Sequence, residues 1–331
     1  MYPDQKILII RFSSLGDIVL ATSPLRTVRL SNPNAKITFL TLDAYAPLLE
    51  YHPDIDQLLS IERGWSIKQL WDFSKHLASK DYDLIYDFHN SLRSNFVMFH
   101  SKCPIYQLKK PRLKRAALFY FHKNYFKKSF STIRMYHDHL GDIWDRETLP
   151  NTKLVVSMYE KNNAKKLLGS VGVGDDYIVA VPGAAWSQKQ WSAEKYAKLF
   201  DELKVPTVII GSKSDTICFR VDELSKNTEN LAGKTSIRDA MAIISNAKHV
   251  IGSDTGLIHA AEALGKNATM ILGPTSRETG GGLYLPESRM IESDVWCRPC
   301  SQNGSFPCYR KQQYCLESIR VEDVLQSMPL G

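Results

Sequence analysis

Long apolar runs are missing from the chain. No window approaches the roughly 18 uninterrupted apolar residues of a membrane-spanning helix, and the first residues, MYPDQKILII, have no basic region ahead of a long apolar core, so no secretory signal is expected. We therefore expect a soluble, cytoplasmic protein. Since the chain has 331 residues, of which 44% are hydrophobic, two globular domains are the first expectation.

Cysteine is scarce: six residues are too few for a secreted protein held together by disulfides. Four of them nevertheless lie close together in CRPCSQNGSFPCYRKQQYC, as Cys297, Cys300, Cys308 and Cys315. The first two have the C-x2-C spacing of metal ligands, whereas six residues separate the other two. Two interpretations stay open here, a structural zinc or iron site and a set of free or redox-labile thiols.

Acidic residues are absent between Asp87 and Asp138, an interval that holds eleven basic residues. These eleven charges exceed the net charge of +7 of the whole chain. They are interleaved with Phe and Tyr, as in LFYFHKNYFKK, which a merely solvated charged face does not require. The segment favours an anionic partner, either a phosphorylated glycolipid, membrane headgroups or nucleic acid.

The glycine pattern of a dinucleotide site is missing where it would be expected. Residues 7–29, ILIIRFSSLGDIVLATSPLRTVR, predict a strand, a tight turn and an amphipathic helix, but the turn has only Gly16, followed by Asp17. A carboxylate at this position repels phosphate, which disfavours a nicotinamide dehydrogenase. Asp17 is then either a helix cap or a residue with chemistry of its own.

Short strands and helices alternate in both halves of the chain, which predicts parallel pairing with right-handed crossovers. The polar stretch TLPNTKLVVS separates the halves. The expected fold class is α/β, with two Rossmann-like, doubly wound parallel-sheet domains facing across a cleft. We assign residues 1–152 to an N-terminal domain and 153–316 to a C-terminal domain, with 317–331 as a C-terminal helix across the domain junction.

The stretch VAVPGAAWSQKQWSAEKYAKLF has the pattern of a phosphate site. Its strand ends in the small residues Gly183, Ala184 and Ala185, which let a ligand approach the backbone. Lys189 lies just before the following helix, where its charge would complement an anion bound at the helix N-terminus. An exposed loop lysine is the alternative.

A second unit of the same kind is KHVIGSDTGLIHAAEALG. A buried strand leads into Asp254, Thr255 and Gly256, and His259 lies in the first turn of the next helix. Asp254 or Thr255 could cap this helix, and its exposed amides would bind phosphate. His259 by itself is as well explained by packing, but the two units together predict a diphosphate pocket in the second domain.

At this point the sequence resembles the bacterial heptosyltransferases, a glycosyltransferase family with the two-domain GT-B fold. The resemblance extends along nearly the whole chain, through RFSSLGDIVLATSPLR, PGAAWSQKQWSAEKYAKL, LAGKTSIRDAMAIISNA and GSDTGLIHAAEALG, in that order. It implies inverting transfer of a heptose from ADP-heptose to the inner core of lipopolysaccharide, with no cofactor required for the chemistry.

The resemblance also implies that residues 1–152 are an acceptor domain and 153–316 a nucleotide-sugar donor domain, and it implies roles for individual residues. Asp17 matches the catalytic base. The matching donor-site residues are Lys189, Asp254, Thr255, Gly256 and His259, and the LAGKTS stretch with Gly233 corresponds to a segment near the nucleotide. Some members of the family carry hydroxyl residues where this chain has Ala184 and Ala185, so backbone amides are expected to contact phosphate here.

The basic segment is then expected to serve the acceptor. We predict that Lys110, Arg112 and Arg115 contact an anionic glycolipid, because basic and aromatic side chains together suit phosphorylated sugars at a membrane surface. We also expect a transient contact with the inner membrane surface. We expect no nucleic acid partner.

Two rival functions remain at this point. A nucleotide-sugar epimerase could use the same two-domain plan and would need no acceptor. A nucleic-acid-binding protein could use the basic segment and a zinc-bound cysteine cluster, and would bind with a steep salt dependence. The second rival leaves both phosphate-site patterns without a function.

Overall fold

The computed structural model describes residues 5–144 and 148–328. Its contacts divide the chain into two compact units: Met1–Lys110 with Ser131–Val155, and Pro111–Phe130 with Val156–Gly331. The basic segment 111–130, which we predicted within residues 1–152, thus groups with the second unit. The domain boundaries at residues 152 and 316 stay predictions.

The first unit contains a parallel five-stranded sheet with the order β3-β2-β1-β4-β5. The strands are β1 (Lys6–Ile10), β2 (Lys36–Leu42), β3 (Gln57–Ile61), β4 (Leu84–Asp87) and β5 (Ile105–Gln107). The helices up to the end of this unit are α1 (Leu15–Ser31), α2 (Ile67–Ala78), α3 (Leu92–Val97), α4 (Arg112–Phe121) and α5 (Thr132–His137), of which α4 groups with the second unit.

Strand β1 forms the centre of this sheet because its residues are apolar on both faces. Ile7, Leu8, Ile9 and Ile10 are all completely buried. Ile7 pairs with Ile37 of β2 on one side and with Leu84 of β4 on the other. A strand buried on both faces reads as a continuous apolar run, which is typical of parallel sheets covered by helices.

The second unit contains a parallel six-stranded sheet with the order β11-β10-β9-β6-β7-β8. Its strands are β6 (Ile178–Val181), β7 (Thr207–Ile209), β8 (Thr228–Asn230), β9 (Val250–Ser253), β10 (Ala268–Leu272) and β11 (Arg289–Glu292). Its further helices are α6 (Met158–Ser170), α7 (Ala193–Leu203), α8 (Thr216–Leu224), α9 (Ile237–Asn246), α10 (Gly256–Ala263), α11 (Tyr314–Glu317) and α12 (Val321–Ser327).

Each sheet has one point at which the strand order reverses. In the first unit it lies between β1 and β4, and in the second between β6 and β9. Open α/β sheets bind ligands beyond the carboxyl ends of the strands at such a point. The loops after β1, β4, β6 and β9 are therefore the places to look for functional side chains.

Several expectations about the elements are confirmed, and others need correction. Both halves are doubly wound α/β units, as predicted. Sequence periodicity did not reveal the short strands β5, β8 and β11. The helix expected over SFSTIRMYHDHLGDIWDRE is only α5, and residues 145–147 of that stretch lie outside the described residues.

The C-terminal part of the chain packs within the second unit. Helix α12 lies against α7, and Lys198 binds Glu322 with a nitrogen–oxygen distance of 3.0 Å. Residues 329–331 lie outside the described part, and the predicted packing of 317–331 across a domain junction stays a prediction. Over residues 5–144 and 148–328 no helix is long and apolar enough to span a membrane.

Candidate active site

Asp17 lies directly after β1, in the first turn of α1. Ser14 is the N-cap of this helix, and the Asp17 carboxylate completes a capping box: Oδ2 accepts hydrogen bonds from the Ser14 backbone N–H at 3.1 Å and from its hydroxyl at 2.8 Å. The same oxygen is 2.8 Å from Nη2 of Arg11. The helix-cap interpretation of Asp17 is thus correct, but the cap uses only one oxygen.

The second carboxylate oxygen is in a different situation. Within the described residues, Oδ1 has one hydrogen bond, a long one of 3.5 Å from the Tyr136 hydroxyl. The side chain of Asp17 is 36% exposed. Asp17 therefore holds its helix and its arginine with Oδ2, while Oδ1 carries no short hydrogen bond from the described part of the chain.

Arg11 fixes the protonation state of Asp17. Burial by itself would raise the pKa of Asp17, but the charge of Arg11 and the two hydrogen bonds from Ser14 outweigh it and hold the pKa below the ordinary value of 3.8. Arg11 is 6% exposed, donates to the Phe88 carbonyl at 2.5 Å and lies 5.8 Å from the centre of the Tyr136 ring. Asp17 is consequently an ionised, weak base.

The loop after β4 brings His89 to the same place, which the sequence reasoning missed. The carboxylate of Asp87 is fully buried and accepts from the backbone N–H groups of His89 and Asn90, at 2.9 and 3.0 Å, and from the Ser94 hydroxyl at 2.8 Å.

Burial and the nearby charges of Arg11 and Lys110 lower the pKa of His89 to about 4. A neutral imidazole therefore lies beside Asp17. The signal in the sequence was the set of polar residues at and just after the end of β4, namely Asp87, His89, Asn90 and Ser91.

The three predicted acceptor residues are not gathered in one unit. Lys110 donates to the His89 carbonyl at 2.6 Å, which places it beside the Asp17 loop in the first unit. Arg112 and Arg115 lie on α4, which groups with the second unit; Arg112 is exposed and Arg115 half-buried. Of these three residues, Lys110 lies in the same unit as Asp17, so its position relative to Asp17 is defined.

The loop after β6 has the close packing that its small residues predicted. A Cβ atom built on Gly183 would lie 2.5 Å from Cγ of Asp215, so only glycine fits there. Ala184 is buried and Ala185 exposed. The chain then makes a short 3-10 turn, Ser187–Lys189, before Ser192 caps α7 by accepting from the Lys195 backbone N–H at 3.2 Å.

Lys189 and Asp254 form an ion pair at the point where the strand order of the second sheet reverses. Nζ of Lys189 is 3.0 Å from Oδ2 of Asp254, and their side chains are 13% and 19% exposed. The Thr275 hydroxyl donates to the same oxygen at 2.9 Å. Burial would raise the pKa of Asp254, but the charge of Lys189 lowers it below the ordinary value. The sequence pointed to both residues but not to their pairing.

The remaining residues of this predicted site surround α10. Thr255 is the N-cap, although its side chain makes no capping hydrogen bond, and Gly256 is the first helical residue. His259 is 7% exposed and near enough to Asp254 for its charge to lower the carboxyl pKa. Beside Thr275 a cavity of about 260 Å³ opens, lined also by Ser276, Glu292 and Arg298.

Gly233 follows β8, two strands away from β6. It has a φ of +73°, and a Cβ atom there would lie 2.8 Å from Cβ of Lys213. A left-handed conformation and close packing both require glycine at this position. Its predicted contact with the nucleotide stays a prediction.

The predicted metal site is not assembled. Cys297, Cys300, Cys308 and Cys315 are all free thiols. Over residues 5–144 and 148–328 no three His, Cys, Asp or Glu side chains are grouped so that they could hold a metal ion. The four thiols nevertheless lie in one neighbourhood: burial raises the pKa of Cys300 to about 11, and the nearby thiols of Cys315, Cys297 and Cys308 add to this shift.

Comparison with known proteins identifies the family. Residues 70–309, well over half of the chain, match the model of glycosyltransferase family 9 (heptosyltransferase). The chain belongs to this family. Among curated relatives, lipopolysaccharide heptosyltransferase 3 of Escherichia coli is 28% identical over 78% of this chain and 80% of its own length. Lipopolysaccharide heptosyltransferase 1 of Pseudomonas aeruginosa is 21% identical over 99% of both chains.

Solved structures agree on the fold of this family 9 glycosyltransferase. A family 9 glycosyl transferase from Veillonella parvula gives a TM-score of 0.80 at 19% identity, covering 99% of this chain and 97% of its own. The ADP-heptose lipopolysaccharide heptosyltransferase II of Escherichia coli gives 0.76 at 22%, covering 98% and 97%. Another Escherichia coli heptosyltransferase, solved with ADP-2-deoxy-2-fluoro heptose, gives 0.69 at 18%, covering 97% and 98%.

These findings confirm three expectations from the sequence. The family is that of the bacterial heptosyltransferases, the fold has two parallel-sheet α/β domains, and the protein is a glycosyltransferase. Heptose transfer is likewise confirmed as the activity of the family.

Proposed function

We propose that this glycosyltransferase moves a heptose from ADP-heptose to the lipopolysaccharide inner core, or a related acceptor, by one displacement that inverts the anomeric carbon. Asp17 takes the proton of the attacking hydroxyl. The observation that carries the proposal is the unequal use of the Asp17 oxygens: Ser14 and Arg11 hold Oδ2 at 2.8 Å each, while the bond to Oδ1 is 3.5 Å long.

A single displacement needs a base for the acceptor and stabilisation of the leaving diphosphate, with no protein nucleophile. Asp17 is ionised at neutral pH and ready to accept a proton, but its lowered pKa makes it a weak base. The proton therefore moves late, when the anomeric carbon has already become cationic and the attacking hydroxyl acidic. Because the attacking hydroxyl is acidic by the time it loses its proton, a weak base such as Asp17 is sufficient.

The donor diphosphate is assigned to the ends of β6 and β9. An ammonium group has three N–H donors, and within residues 5–144 and 148–328 Asp254 occupies one of those of Lys189, which leaves two for phosphate oxygens. The backbone amides of Gly256 and of the residues after it point out of the N-terminus of α10, where the helix dipole favours an anion. Amides at Ala184 and Ala185 serve in place of hydroxyl side chains.

The acceptor is assigned to the basic residues around α4 and to Lys110. Helix α4 begins with Arg112 and exposes Leu113, Tyr120 and Phe121, each more than two-thirds uncovered. Cationic and aromatic side chains on one surface suit a phosphorylated glycolipid at the inner face of the cytoplasmic membrane. We accordingly propose a cytoplasmic enzyme with transient membrane contact.

No cofactor takes part in the proposed reaction. The four thiols at Cys297–Cys315 serve no step in it, and metal analysis of the purified protein decides whether they take up a structural zinc or iron. About one metal ion per chain, lost in a Cys300→Ser variant, would support that secondary proposal; metal-free protein would exclude it.

Release of ADP from ADP-heptose tests the function. Wild-type protein is expected to release ADP rapidly only when a heptose-deficient inner-core acceptor is present, and NMR of the product is expected to show the opposite anomeric configuration to the donor. Turnover of the donor without any acceptor would favour an epimerase. A retained configuration would contradict the single displacement.

A further inference from the structure

The cysteine-rich segment, defined here as residues 297–315, packs against the proposed donor loops. The backbone N–H groups of Cys300 and Ser301 donate to the Pro274 carbonyl at 3.1 and 3.2 Å. The side-chain amide of Gln313 donates to the carbonyl of Gln188, the neighbour of Lys189. The segment is therefore a wall of the Lys189 loop, which the metal interpretation of its cysteines does not explain.

Arg298 secures this wall to the sheet. It is among the more buried charged side chains of the unit, at 10% exposure, and it donates to the Gly273 carbonyl at 2.6 Å and to the Thr275 carbonyl at 3.1 Å. Its guanidinium also donates to the Ser293 carbonyl at 3.1 Å and to the Glu292 carboxylate at 2.9 Å. Thr275 in turn holds Asp254, so the same wall fixes the carboxylate that pairs with Lys189.

Gly304 touches Lys189 itself. A Cβ atom built on Gly304 would lie 2.5 Å from Cγ and 2.9 Å from Cδ of Lys189, so the lysine stem lies directly on the glycine backbone. Gly304 also has a φ of +81°, and its N–H donates to the buried Ser301 hydroxyl at 2.9 Å. The turn from Ser301 to Gly304 is thus closed by a buried hydrogen bond at the point of contact.

This contact has a consequence for the ammonium group. A lysine side chain has four rotatable carbon–carbon bonds and usually samples many rotamers. Here the stem lies against the Gly304 backbone, which leaves less than a methyl group of space between them. With the stem confined, the ammonium group is directed to Asp254 and to the proposed diphosphate position.

We propose that Gly304 is a positioning residue for Lys189. The turn Ser301–Gly304 of the cysteine-rich segment sets the direction of the lysine, and the absence of a side chain at position 304 is what lets Lys189 reach the donor site. This inference rests on the proposed donor role of Lys189 and adds a specific requirement that the donor motifs themselves do not contain.

Gly304→Ala tests the inference, with Gly172→Ala as its matched control. Both glycines are left-handed, with φ of +81° and +80°, but nothing lies within 4 Å of a Cβ at Gly172. Both variants bear similar backbone strain, and only Gly304→Ala displaces Lys189. We expect the donor KM of Gly304→Ala to rise about 10- to 100-fold, since a shift of about 1 Å in a positioned group can cost that much. The acceptor KM should not change.

A double-mutant cycle with Lys189→Ala separates the positioning role of Gly304 from the donor-binding role of Lys189. If Lys189 binds the donor, Lys189→Ala alone raises the donor KM, and adding Gly304→Ala changes it little further, because the atoms that would clash are gone. Additive effects, or an unchanged donor KM in Gly304→Ala, would overturn the positioning role alone. An unchanged donor KM in Lys189→Ala would overturn the proposed donor role of the lysine.

Ser301→Ala keeps the inference testable if Gly304→Ala does not fold. It removes the hydroxyl that holds the Gly304 N–H and introduces no clash. A looser turn is expected to raise the donor KM severalfold and to leave the acceptor KM unchanged. An unaltered donor KM in folded Ser301→Ala protein would count against the positioning role.

Discussion

Two requirements on Asp17 oppose each other: its carboxylate must be held in place, and it must accept a proton. A carboxylate that caps α1 and pairs with buried Arg11 is held firmly, but the same contacts lower its pKa and weaken it as a base. A glycosyl transfer tolerates this compromise because the acceptor hydroxyl becomes acidic only as the sugar carbon becomes cationic. Arg11 therefore orients Asp17 and keeps it ionised, but it does not make Asp17 more basic.

Arg11→Gln is expected to move the acid limb of the pH–rate profile upward. Without the arginine charge, burial raises the pKa of Asp17, so protonation inactivates the base at a higher pH. In the wild type the Asp17 limb lies below the ordinary carboxyl pKa of 3.8. The measurement is kcat/KM as a function of pH. The control is Arg29→Gln, which breaks the separate ion pair between Arg29 and Asp56. An acid limb at the same pH in Arg11→Gln and wild type would refute this account.

The candidate residues were predictable from the sequence, but their pairing was not. Asp17, Lys189 and Asp254 each follow a strand that periodicity reveals. Lys189 and Asp254 are 65 positions apart (254 − 189), and they meet only because β6 and β9 are neighbours in the sheet. Likewise, His89 lies beside Asp17 because β4 pairs with β1. Strand order, which a single sequence does not contain, decides such contacts.

At the scale of elements, long apolar strands were predictable and short edge strands were not. β5 and β8 have three residues each, and both are edge strands with polar or exposed positions. Three residues are too few to show a period of two, so only pairing with a neighbour defines them. The β6–β9 contact at the centre of the second sheet is, in contrast, specified by a glycine.

Gly252→Ala is expected to destabilise the second unit. A Cβ atom at Gly252 of β9 would lie 2.3 Å from the Val181 carbonyl oxygen of β6, so the two strands must move apart. Overpacking of this kind typically costs about 1–3 kcal/mol. Thermal unfolding measures it, and Gly169→Ala is the contrasting control, because that position in α6 is exposed with nothing within 4 Å. Equal melting temperatures for both variants would contradict the packing argument.

The α4 region is expected to affect acceptor binding alone. Replacing Arg112 and Arg115 by Gln removes two charges from a segment without acidic residues, which weakens the attraction for an anionic glycolipid. The acceptor KM should rise by about tenfold or more at low salt and converge with that of the wild type at high salt, while the donor KM stays constant. Steady-state kinetics at two salt concentrations measures this. An unchanged acceptor KM would remove α4 from the acceptor site.

For the whole molecule, buried histidines predict how stability depends on pH. Burial lowers the pKa of His52 in the first unit and of His249 in the second to about 4. The unfolded chain binds these protons near pH 6.5 and the folded one only near 4. The stability that these two histidines contribute in their neutral form is therefore fully present above about pH 6.5 and is lost as the pH decreases toward 4.

His249→Gln is expected to make this acid loss shallower. Gln can keep a hydrogen bond to the Thr269 hydroxyl, which now binds the His249 ring at 2.9 Å, and it takes up no proton. The contribution of His249 to the loss between pH 6.5 and 4 is at most about 3 kcal/mol. Denaturant unfolding at several pH values gives the slope. The same slope in variant and wild type would show that His249 is not buried in its neutral form.

The most direct test of the whole account compares Asp17→Asn with Asp239→Asn. Asp239 forms the same capping box with Ser236 at α9, with bonds of 3.0 and 2.7 Å, so both variants make the same change in an equivalent cap. With saturating donor and acceptor, Asp17→Asn is expected to lower kcat by about 10²- to 10⁴-fold, the usual contribution of a general base. Asp239→Asn should stay close to the wild type. Near wild-type turnover by folded Asp17→Asn protein would contradict the claim that this aspartate is the base.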